Sequence, residues 1–139
     1  MNQEDLRPSV RDEAPPADAV VILRGGPDTA EKLAGHAMRT NAAYCLDGEP
    51  VWGVSVFAAL DDVGPASLDA LLAHRLVSYR LVHMPTVGAL VDAGFDLLPT
   101  FRRPHFTMLL SSDAELDLRR LLNALGSPQV NPYHGSRRR

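Results

Sequence analysis

In the stretch FRRPHFTMLL, residues 101–110, a charged, proline-bearing tetrapeptide runs into six residues of alternating character. Successive side chains of a strand point to opposite faces. Phe106, Met108 and Leu110 therefore share one apolar face, and His105, Thr107 and Leu109 share the other. An alternation of this kind predicts a core strand over 105–110. Phe95–Thr100 predicts a second strand, separated from the first by Phe101-Arg102-Arg103-Pro104. Both arginines precede the strand, where they can cluster with its first polar residue, His105.

Working outward, Ala19–Arg24 is a short β-branched run that reads as a buried strand, ended by Gly25-Gly26-Pro27. Asp28 has the position of an N-cap, with Glu31 three residues on as in a capping box. Leu33, Ala37, Met38, Asn41, Tyr44 and Cys45 follow at near-helical spacing, which predicts a helix over 29–46. A turn at Asp47-Gly48-Glu49-Pro50 leads to a strand over 51–57. Ser67 can cap a short helix over 68–75, and alternation over Leu76–His83 predicts a further strand. Pro85 suits the first turn of a helix over 86–93, with Gly94 at its C′ position. Ser112 caps a last helix over 113–125, closed by Gly126. The order β-α-β-α-β-α-β-β-α has short strands and crossovers of irregular length. It predicts one α+β domain: a mixed β-sheet of about five strands with three to four helices packed on it.

With 139 residues, 45% of them hydrophobic, the chain can build one compact core. No apolar run approaches the roughly 18 residues that span a bilayer. The N-terminus lacks the apolar core of a secretory signal. A cytoplasmic protein without membrane contact is expected. Residues 1–19 hold five acids and two bases, which accounts for the whole net charge of −3. An acidic arm without regular structure is expected over 1–18, and a loose basic tail over 127–139, ending in three arginines. Cys45 is the single cysteine, which excludes an intrachain disulfide and suits a structural thiol. The five histidines are scattered without metal-ligand spacing, so neither a metal nor a resident cofactor is expected.

Several polar groups stand out against this frame. Arg24, Gly25 and Gly26 lie where a strand meets a helix N-terminus, a place suited to an anion. Ser55 lies opposite Trp52, Val54 and Val56 on its strand, beside the small Gly53. Tyr79 and His83 share one face of the strand predicted over 76–83. If that strand lies near 105–110, His83 and His105 supply a base and an acid for chemistry at a phosphodiester. Arg102 and Arg103 would hold the charge that develops on phosphate, with Thr107 as supporting wall. His36, Arg39 and Thr40 share a helix face and read as a polar outer surface.

Two resemblances accompany this reading. Leu23-Arg24-Gly25, then a helix, then Gly53-Val54-Ser55-Val56-Phe57 resembles the opening of ADP-ribosyltransferase-like domains over about residues 20–57. The resemblance implies that Arg24 and Ser55 hold a dinucleotide. His105-Phe106-Thr107 is similar to one half of the paired H-x-T motif of 2H phosphoesterases. Small chains with an ordered core and charged ends also resemble toxin or defence effectors. The expected function is a small effector acting on a nucleotide or RNA phosphate group. The alternatives are a non-catalytic subunit that binds a protein partner or a second copy of itself, and a nucleic-acid adaptor using Arg137, Arg138 and Arg139.

Overall fold

The computed structural model describes residues 4–6, 14–26, 28–111 and 115–135. Its strands are β1 (Glu4–Asp5), β2 (Val21–Arg24), β3 (Tyr44–Leu46), β4 (Glu49–Pro50), β5 (Trp52–Ala58), β6 (Leu81–His83), β7 (Asp96–Pro99), β8 (His105–Leu110) and β9 (Gln129–Val130). The helices are α1 (Thr29–Ala43), α2 (Leu68–Ala70, continued by a π-helical turn over Leu71–Arg75), α3 (Val87–Asp92) and α4 (Glu115–Leu125). A six-stranded sheet runs in the order β7-β8-β5-β2-β6-β9, antiparallel at every step. Parallel pairing is confined to a small sheet, where β1 lies beside β3 and β3 forms a hairpin with β4. The protein is a single α+β domain.

Strand alternation sorts the core. Val21, Leu23, Val54, Val56, Phe106, Met108 and Leu110 face one side, where Leu33 and Ala37 of α1, Leu90 of α3 and Leu121 of α4 cover them. Ile22 and Val82 face the other side, against Leu71, Leu72 and Leu76. α2 covers only that end of the second face. The part formed by Ser55 and Thr107 is bordered by His36, Arg39 and Thr40 of α1.

Four local outcomes differ from the sequence expectations, each for a physical reason. α1 stops at Ala43 rather than 46, because Asp47 and Gly48 adopt φ of 53° and 86°. Two successive positive φ values make the tight turn that matches hairpin twist, so Tyr44–Leu46 pairs with Glu49–Pro50 instead of continuing the helix. Cys45 is accordingly a half-buried strand residue. Asp28 makes no side-chain cap bond, and the Thr29 hydroxyl instead donates to the Gly26 carbonyl. Of the strand expected over 76–83, only Leu81–His83 forms. The π turn runs into it through Leu76 N–H to Leu71 O (2.9 Å) and Tyr79 N–H to Leu76 O (3.0 Å).

The expected loose ends are also partly structured. Glu4–Asp5 pairs with Tyr44–Cys45, and Leu6 is buried. Gln129–Val130 pairs with Leu81–Val82, and the buried Asn131 donates its side-chain amide to the carbonyls of Leu72 and Leu76, both at 3.0 Å. The cap expected from Ser112 and the tail arginines Arg137–Arg139 lie outside the described residues. α3 ends as its sequence predicts: Gly94 has φ 96°, its N–H bonds Val91 O, and the Phe95 N–H bonds Leu90 O. Among the described residues no helix is long and apolar enough to cross a membrane.

Candidate functional site

β2 pairs with β5 at two positions, Val21–Ala58 and Ile22–Phe57. Beyond them His36 of α1 reaches Ser55 on β5. Its Nε2 lies 3.2 Å from Ser55 Oγ, and its Nδ1 lies 3.1 Å from a guanidinium nitrogen of Arg24. A guanidinium only donates, and so does the Ser55 backbone N–H, which reaches Nε2 at 3.3 Å; both ring nitrogens therefore face donors, and one of them accepts in the neutral ring. Burial, followed by the charges of Arg24 and Arg39, lowers the His36 pKa to about 4. The imidazole is neutral at physiological pH. His36 and Ser55 are thus paired through both the serine amide and its hydroxyl.

β5 and β8 pair in register along Trp52–Leu110, Gly53–Leu109, Ser55–Thr107 and Phe57–His105, which sets Ser55 and Thr107 side by side. Glycine at position 53 permits this packing: a Cβ there would lie 2.6 Å from Thr107 Cγ2 and 3.7 Å from Thr40 Cγ2. Thr107 Oγ1 bonds the fully buried Thr100 Oγ1 at 2.8 Å, and that atom is 2.9 Å from His105 Nδ1. His105 sits between Phe57 and Phe101, with ring centroids at 5.4 and 5.0 Å. Burial lowers its pKa, a hydrogen bond to the Thr100 backbone opposes this, and Arg75 lowers it further. A ring N–H donated to Thr100 leaves Nε2 with the free lone pair, the arrangement of a general base.

Cations complete the face. Arg24 Cζ stacks over Tyr79 at 5.7 Å, and Arg75 Cζ over Phe57 at 5.5 Å. Among the described residues, Arg24, Arg39 and Arg75 make no ion pair with a carboxylate. His36, Arg39, Thr40, Ser55 and Thr107 line a cleft of about 230 Å³, with Leu6 and Phe101 at its border. Asp18, Asp61, Asp62 and Asp69 line a separate hollow.

The structure thus brings together Arg24, Ser55, Tyr79, His105 and Thr107. It does not bring His83, Gly25 or Gly26 to them. His83 is opposite Leu23 in the β2–β6 register and so faces the α1–α4 side, whereas Arg24 is opposite Val82 and faces the α2 side. Gly25 stays with His83: a Cβ on Gly25 would lie 3.1 Å from that ring. Arg102 is exposed in the β7–β8 turn, and Arg103 is engaged by Asp61 in a two-pronged pair at 2.9 and 3.0 Å. That pair holds the Asp61 carboxyl below its usual range. The residues the sequence reading passed over are His36 and Arg39, taken for an outer surface. The available signal was Thr40, a polar residue in step with Leu33 and Ala37, facing a strand glycine. Among the described residues no group of three His, Cys, Asp or Glu side chains could hold a metal ion. No protein family, characterised protein or solved structure matches this chain.

Proposed function

We propose that the cleft between α1 and the β5–β8 face binds a phosphate-bearing nucleotide or RNA and that the protein acts on its phosphate group. The observation that carries this reading is the gathering of Arg24, Arg39 and Arg75 around two hydrogen-bonded imidazoles, with no carboxylate among the charges acting on either ring. Arg24 and Arg39 hold the anion, and the Ser55 and Thr107 hydroxyls donate to it. Phe57, Phe101 and Tyr79 offer ring faces on which a base can stack. His105 Nε2 takes the proton of the ribose 2′-hydroxyl, whose oxygen bonds the adjacent phosphorus as the P–O5′ bond breaks, and the departing 5′-oxygen takes its proton from water. His36, neutral and paired with Ser55, is a positioning residue rather than the matching acid.

The test is cleavage of a labelled RNA oligomer by the full chain, compared with His105→Ala and Arg24→Ala. Each substitution is expected to lower turnover by about a hundredfold or more, with His105→Ala retaining affinity for the oligomer. Undiminished turnover in a folded His105→Ala protein overturns the catalytic role. Unchanged affinity in Arg24→Ala overturns the binding site.

A further inference from the structure

Arg75 ends the π-helical turn that continues α2, and its guanidinium carbon lies over the Phe57 ring, 5.5 Å from the centroid. Phe57 in turn meets His105 edge to face, with ring centroids 5.4 Å apart. The Arg75 charge is close enough to His105 to disfavour protonation of that imidazole. Among the described residues the exposed Arg75 guanidinium forms no hydrogen bond and no ion pair, so its N–H donors are unspent. Arg24 and Arg39 stand elsewhere on this face: Arg24 is bonded to His36, and Arg39 lines the cleft with Ser55 and Thr107. Cations therefore occupy two separate positions, one beside Ser55 and one beside His105.

Strand register sets the order of these groups. Ser55 is opposite Thr107, and Phe57, two residues on, is opposite His105. The two rows lie about 7 Å apart along the strands. Arg24 reaches the first row through His36, and Arg75 reaches the second through Phe57. The span is one that a single nucleoside with a phosphate at each end can bridge. A phosphate held on the first row directs the 2′-hydroxyl of the preceding nucleoside toward His105 on the second. The next phosphate in that direction is the one on the 5′ side of the same nucleoside, and the cation standing there is Arg75. A guanidinium fork suits it, because two parallel N–H bonds match two phosphate oxygens. We infer that Arg75 binds the phosphate on the 5′ side of the nucleoside whose 2′-hydroxyl reacts, so that the substrate is an RNA strand lying with its 5′ side toward the π turn. This inference rests on the reading of the cleft as a phosphate site, and it adds a strand polarity and a second anion position.

The experiment compares kcat/KM of the full chain on three adenosine dinucleotides: ApA, the 5′-phosphorylated pApA and the 3′-phosphorylated ApAp. A charge-assisted pair at Arg75 is expected to favour pApA over ApA by about tenfold or more. ApAp, which carries the same added charge on the other side, is expected to stay close to ApA. Arg75→Gln should abolish the preference for pApA, whereas Arg24→Ala should lower the values for pApA and ApA together and keep their ratio. Equal values for pApA and ApA, an equal gain from ApAp, or a preference that survives in folded Arg75→Gln protein overturns the inference and leaves the phosphate cleft standing. Cleavage of none of the three by the wild type overturns the reading of the cleft itself, and the inference falls with it.

Discussion

His36 stands between two sets of donors. Its Nδ1 lies 3.1 Å from the Arg24 guanidinium and its Nε2 lies 3.3 Å from the Ser55 N–H, so a second ring proton would leave neither nitrogen a lone pair with which to accept. Protonation is resisted until about pH 4, first because the ring is buried and then because Arg24, Arg39 and His105 surround it. Below the ordinary imidazole value of 6.5 the unfolded chain takes up a proton that the folded chain refuses. The contribution of His36 is therefore complete above pH 6.5 and is lost as pH falls toward 4. Urea denaturation of wild type and His36→Gln across this range should show a stability gap at neutral pH that narrows on acidification. A gap of constant size would mean that His36 does not titrate as described. His105 differs in kind, since its ring is held by Thr100 and its Nε2 is left for chemistry.

At the level of elements, the segment from β9 to Asn131 is a structural part of the domain. Asn131 satisfies the Leu72 and Leu76 carbonyls at the end of the π turn, its own N–H bonds Arg80 O at 2.8 Å, and its Oδ1 accepts from the Tyr133 N–H. Asn131→Ala removes the side-chain donor from the buried Leu72 carbonyl and one of two donors from Leu76 O, which keeps the Tyr79 N–H, and should cost about 1–3 kcal/mol. Chemical denaturation should find it among the most damaging polar substitutions, and a change within about 0.5 kcal/mol would contradict this account. No periodicity in SPQVNPY announces that role, because a buried asparagine is recognised only by the carbonyls it meets. The alternation of HFTMLL, in contrast, is a local property, and β8 forms over the predicted residues with the predicted faces. The helix over 29–46 was legible in its body and not at its end, where the Asp47-Gly48 turn recruits Tyr44–Leu46 into a hairpin.

Across the whole molecule, the candidate site divides along the sheet. Sequence reading assembled Arg24, His83 and His105 into one cleft, but one residue along a strand reverses the face: Leu23 is opposite His83, and Arg24 is opposite Val82. Strand order then places β5 and β2 between β8 and β6. Only the three-dimensional pairing could settle that division. What it leaves is a chain of net charge −3 with Arg24, Arg39 and Arg75 around one cleft, while Asp18, Asp61, Asp62 and Asp69 line a separate hollow. A field arranged in this way attracts an anion locally despite the net negative charge. The central claim is that Arg24 and Arg39 make this cleft a phosphate site. Titration of the full chain with adenosine 5′-monophosphate, read at the ring signals of His36 and His105, tests it directly. The account predicts saturable shifts of both rings that weaken with added salt and are lost in an Arg24→Ala, Arg39→Ala double variant. Shifts that persist in the folded double variant, or none in the wild type, would contradict it.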